Sequence, residues 1–143
     1  MTILALIATL LGSQWSTTCV MTQSDNLQGY TIDTLTFQSD ASNSKSLELS
    51  STRIWFKDEN CTEALGAKST VKGSVTIGNS LESMTFPGAP SEDIFAADWK
   101  LGTQAMQMGS IGIANDGKSI RTATTSFGST RNTMLSLFRY FAK

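Results

Sequence analysis

The chain contains no histidine. That absence excludes Ser-His-Asp and Cys-His nucleophilic arrangements. It also leaves the two cysteines unable to complete a zinc shell. Charge is scarce as well: 16% of residues are charged, and 11 basic against 12 acidic side chains leave a net charge of −1. A field that weak attracts neither nucleic acid nor an anionic membrane. No apolar run approaches the roughly 18 residues that a spanning helix needs, so no membrane span is expected. The 11 glycines are scattered and form no phosphate-binding loop, so no nucleotide or other cofactor is implied.

Paired carboxylates are the acid/base chemistry that remains. The densest group is Asp58, Glu59 and Glu63 around Cys61. It lacks the alternating oxygen ligands and the glycine of a calcium loop and reads as a solvated turn. We therefore assign no catalytic residue and no metal ligand and expect a protein that is not an enzyme, a carboxylate-pair hydrolase being the weakest of the function classes. Asn60-Cys61-Thr62 matches the glycosylation sequon, but a cysteine expected in a bridge occupies its centre, and we treat the match as coincidence.

What is present begins with an apolar stretch, Met1-Thr-Ile-Leu-Ala-Leu-Ile-Ala-Thr-Leu-Leu-Gly12. It has the length of a signal h-region, and Gly12 and Ser13 offer small residues for cleavage before Trp15, although a positive n-region is missing. Residues 1–14 are read as a signal peptide and 15–143 as a single domain; the alternative is a buried N-terminal strand or helix. Export would place Cys19 and Cys61 in an oxidising compartment, secreted or periplasmic, where a single disulfide is the default pairing. Such a bridge is worth roughly 3 to 4 kcal/mol in the chain-entropy model. Two buried thiols are the competing reading.

Downstream, short apolar segments alternate with turn clusters, and Ser, Thr, Gly and Asn dominate the remainder, as in a sheet protein. Strands are expected at 15–21, 30–37 and 47–56, with Leu47, Leu49, Ser51, Arg53 and Trp55 on one face of the third. Val71, Gly73, Val75 and Ile77 alternate strictly with polar residues, the clearest period of two in the chain. Both prolines, Pro87 and Pro90, fall in 78–93, which reads as a long irregular connection. Strands follow at 94–101 and 105–113, then the hairpin turn Asn115-Asp116-Gly117 leading into 118–124. A last strand is expected at 133–141, with a short helix as the alternative. About eight antiparallel strands fit an all-β up-and-down barrel, which leaves no exposed edge, or a β-sandwich.

Several residues then carry a likeness. Trp15-x-Thr-x-Cys19, Leu35-Thr-Phe37, Trp55-Phe56-Lys-Asp58-x-x-Cys61-Thr62, Gly73-x-Val-x-Ile77-Gly78, Gly117, Arg131-x-Thr133-x-Leu135 and Tyr140 together resemble small exported proteobacterial proteins of uncharacterised function with lipocalin-like barrels. The resemblance implies an eight-stranded lipocalin-like barrel with a disulfide tying the first strand to the end of the third. Lipocalins open on Gly-x-Trp, with the tryptophan packed under an arginine of the closing strands. Here Gly12 stands three residues before Trp15, so only Trp15 and Arg131 match.

Phe37, Trp55, Trp99, Met106 and Met108 sit on strands where alternation could aim them into a barrel. Methionines beside aromatics suit an adaptable pocket, and they also simply fill cores. The leading expectation is a monomeric, non-enzymatic exported barrel that binds a small hydrophobic ligand. The rival is a surface-acting adhesin-like or inhibitory module, with an unknown protein partner, that uses the 78–93 loop and an aromatic patch at Phe86 and Phe95.

Overall fold

Thr2 starts a helix before the first strand. In the computed structural model, which describes residues 1–24, 27–84 and 91–143, the Thr2 Oγ1 accepts from the Ala5 N–H at 3.1 Å and caps α1 (Ile3–Leu11). Gly12 ends it by donating its N–H to the Ala8 and Thr9 carbonyls. The helical spacing gathers Leu6, Ile7 and Leu10 on one face. Leu6 and Leu10 are 0% exposed. Residues 1–14, read from the sequence as an export leader, thus hold a helix whose inner face belongs to the core of the full chain.

Among the described residues nine strands follow: β1 (Gln14–Ser16), β2 (Val20–Ser24), β3 (Leu27–Ser39), β4 (Ser46–Phe56), β5 (Ala64–Met84), β6 (Glu92–Leu101), β7 (Gln107–Ala114), β8 (Ser119–Ala123) and β9 (Tyr140–Ala142). Each pairs antiparallel with its neighbours, and β1 pairs with both β3 and β9. That double pairing closes an eight-stranded barrel from β1 and β3 to β9. The sandwich alternative is thereby set aside. The expected first strand is two pieces, because Thr17 to Cys19 break it: β1 lies along Thr34 to Thr36 of β3, while β2 lies along Leu27 to Thr31.

Cys19, in that break, is bridged to Cys61 in the turn after β4. Cα atoms 5.8 Å apart sit in the usual range for a disulfide. Asp58 shapes the same turn by accepting from the Thr62 N–H, the Thr62 hydroxyl and the Glu63 N–H. The Thr62 hydroxyl, ahead of the Glu63 amide, holds the Asp58 carboxyl below its ordinary range. The acidic cluster therefore organises a turn.

Three expectations need correction. The connection expected at 78–93 is largely strand: β5 runs on to Met84 and β6 starts at Glu92. Register shifts between Ile77 and Ser80 and between Ser80 and Glu82 interrupt the alternation that would have shown it. Phe86 lies outside the described residues, and so do Pro87 and Pro90. Phe95 is a core residue, so an exposed patch containing it does not form. At the C-terminus, the strand expected at 133–141 reduces to β9, and the helical alternative does not form either.

Residues 124–139 instead run as a strap over the outer face of β6 to β8. The Asn132 N–H donates to the Met108 carbonyl, the Ser110 hydroxyl to the Asn132 carbonyl, and the Ser136 N–H to the Thr122 carbonyl. Gly112 lies beneath it, where a Cβ would stand 2.5 Å from Leu135 Cδ1 and push that side chain aside. The strap also covers Glu92, only 1% exposed. Glu92 accepts from Arg121 Nε and Nη2, the latter at 2.8 Å, and from Arg139 Nη1.

Candidate ligand-binding site

The two ends of the barrel differ. At one end α1 packs Leu6, Ile7 and Leu10 into a cluster with Trp15, Phe37, Leu47, Ile77 and Phe95, and the Trp15 Nε1 donates to the Leu10 carbonyl at 3.1 Å. That end is filled. At the other end the inward positions turn polar: Asp33 follows Leu35 and Phe37 along one face of β3, and Ser51 and Arg53 continue the face of Leu47 and Leu49 on β4. Among the described residues of this end are three cavities of about 400, 250 and 200 Å³, each lined by Asp33 and Arg53.

Asp33 and Arg53 face each other directly across β3 and β4. Arg53 Nε lies 2.7 Å from Asp33 Oδ1 and Nη2 lies 2.9 Å from Oδ2, a bidentate pair. The Asp33 hydrogen bond leads in holding the guanidinium above its ordinary pKa, against a smaller opposing effect of burial. Arg53 Cζ also sits 5.9 Å from the centroid of the buried Trp55 ring, close enough for a cation–π contact. Tyr140 completes the ring of polar groups. Its pKa is pushed up to about 12, first by burial and then by the Asp33 charge, with Arg53 opposing; the phenol therefore stays protonated at neutral pH.

The innermost cavity, about 200 Å³, has Leu35, Leu49, Trp99 and Leu101 beneath that polar rim. The largest of the three, about 400 Å³, opens sideways. Among the described residues β2 pairs only with β3 and no strand closes the wall beyond it, and Thr22, Thr122, Ser136 and Phe138 line the gap. A further concavity of about 560 Å³ lies on the outer wall among Thr36, Gln38, Glu48 and Lys72. The arrangement can hold a small molecule between an apolar floor and a rim of hydrogen-bonding groups.

The five sequence candidates separate. Trp99 lines the innermost cavity, and Trp55 lies under Arg53. Phe37 is in the filled half, packed in the core. Met106 is 61% exposed before β7, and Met108 alternates with the inward Ile111 and Ile113, so it faces outward under the strap. Arg131 reaches the Gly109 carbonyl at 2.8 Å and the Asp98 carboxylate at 2.8 Å, away from the core that holds Trp15. Asp33, Arg53 and Tyr140 were missed as site residues. An arginine on the same strand face as Leu47 and Leu49 was the available signal.

Among the described residues no helix is long and apolar enough to cross a membrane, and no group of three or more His, Cys, Asp or Glu side chains could hold a metal ion. No family model, curated protein or solved structure matches the chain.

Proposed function

We propose that this barrel binds a small, largely apolar molecule in its open end, as a non-enzymatic carrier or sequestering protein. The observation that carries the reading is the half-filled interior: a sealed apolar end beside cavities that share Asp33 and Arg53, the innermost of which reaches Trp99. Ligand sites combine an apolar lining with a few placed polar groups. The open end has both. The Cys19–Cys61 bridge supports an oxidising location, secreted or periplasmic, and so does the resemblance to small exported barrels. Native mass spectrometry of the full chain recovered from an exported fraction tests the proposal. A retained small molecule that is lost in a Trp99→Ala variant is the expected result. A ligand kept undiminished by that variant would place binding elsewhere.

A surface-acting binding module is the second reading, favoured by Leu137, Phe138 and Phe141, which are exposed together beside the side opening. Leu137→Ser with Phe141→Ser, neither of which lines the three cavities, would abolish partner capture on this reading. On the first reading the same change spares the retained ligand.

A further inference from the structure

The charges of the open end cancel, and this bears on which molecules it accepts. Asp33 and Arg53 supply one charge of each sign, and each is engaged by the other through two hydrogen bonds. Around them the cavity walls are hydroxyl-bearing or apolar: Thr17, Ser51, Thr122, Thr124, Leu49 and Tyr140. Tyr140 remains a neutral donor. An anionic ligand would compete with Asp33 for the guanidinium and a cationic one with Arg53 for the carboxylate. Either would take the counter-ion from Arg53, 40% exposed, or from Asp33, 19% exposed, and so give up a bidentate, charge-assisted pair.

Size gives a second restriction. A dry cavity of about 150 Å³ lined by aliphatic side chains holds one benzene, and the innermost cavity measures about 200 Å³ over Leu35, Leu49 and Leu101. One six-membered ring fits. Trp99 adds an aromatic wall to this cavity. The donors at its rim, the Tyr140 phenol and the Thr122, Thr124 and Ser51 hydroxyls, favour a ligand that brings an acceptor.

Building on the ligand-binding reading above, we infer that the open end selects an uncharged, single-ring-sized molecule carrying a hydroxyl or carbonyl oxygen. The ring lies on Leu35, Leu49 and Trp99, and the oxygen pairs with donors of the polar rim. Arg53 and Asp33 act as a neutral bidentate pair that offers remaining hydrogen-bonding capacity without selecting an ion.

Calorimetric titration of the full-length, disulfide-bonded protein at pH 7 with benzyl alcohol, benzoate and benzylamine tests this, because the three share a ring and differ in charge. Benzyl alcohol should bind at least tenfold tighter than either ion. Benzoate or benzylamine binding as tightly as the alcohol would overturn the inference. If none of the three binds while the larger neutral dye N-phenyl-1-naphthylamine does, with Trp99-dependent fluorescence, the ring-sized class fails and the ligand-binding reading stands. If the dye also fails to bind, both fall. Asp33→Asn adds a second arm: with Arg53 no longer neutralised, benzoate should gain at least tenfold relative to benzyl alcohol, and an unchanged ranking would count against charge cancellation as the cause.

Discussion

Glu92→Ala should be among the most damaging single substitutions in this chain. Glu92 lies at the start of β6 with 1% of its surface exposed, and three hydrogen bonds from Arg121 at 2.8 to 3.1 Å join it to β8. Arg139 adds a second guanidinium from the strap. Removing the carboxylate leaves two cations facing each other in a covered site. Breaking a buried ion pair from one side costs about 3 to 5 kcal/mol, against a total stability of about 5 to 15 kcal/mol for a typical domain. Urea unfolding followed by tryptophan fluorescence measures the loss directly. Replacing Glu92 and Arg121 together by methionine removes both deeply buried charges and should restore most of it, because Arg139 can turn towards water. Hydrogen exchange at the Ser136 amide, which bonds to the Thr122 carbonyl across the strap, should accelerate in Glu92→Ala. A cost below about 1 kcal/mol, or a double variant no better than the single one, would refute the claim that this cluster pins the strap.

Three other outcomes follow from the packing. Leu10→Ala should cost about 2 to 5 kcal/mol in the full chain because α1 closes the barrel, whereas Leu4→Ala on the exposed face should change the unfolding free energy little; equal effects would mean that α1 does not pack as described. Cys19→Ser and Cys61→Ser should each lower stability by about 3 to 4 kcal/mol, since either opens the same loop, and unequal losses after reduction of the wild type would contradict a purely bridging role. Tyr140 contributes stability that is full below pH about 10, its usual unfolded value, and is lost as pH rises to about 12; the loss, up to about 2 kcal/mol, should be absent in Tyr140→Phe, as urea unfolding at pH 9 and 11 would show.

The parts of the fold that are readable from sequence are the local ones. Val71 to Ile77 alternates strictly, and Asn115-Asp116-Gly117 makes the turn between β7 and β8, with Gly117 at a φ of +72°. The cysteine pair followed from number and context. The hidden parts depend on distant partners. β5 lost its period at two register shifts, and the strap has no period because its hydrogen bonds run to β7 and β8. Glu92 meets Arg121 and Arg139 across sequence separations of 29 and 47. The site was half visible. Trp55 and Trp99 stood out as aromatics, whereas Asp33 and Arg53 gain meaning only once β3 and β4 set them opposite each other. Apolar residues alone do not separate a filled half from an open one; Phe37 and Met108 were chosen for chemistry that the core and the strap use.

The three tryptophans report on different places, and that makes the most direct test a nuclear magnetic resonance titration of their indole N–H signals in the full chain. The added molecule is the one that co-purifies or, where none does, benzyl alcohol. Binding in the open end predicts that the Trp99 signal moves most and Trp55 follows through Arg53, while Trp15, bonded to the Leu10 carbonyl in the sealed end, stays in place. A saturable shift confined to Trp15, or binding that leaves Trp99 unmoved, would contradict the assignment of the open end as the ligand site.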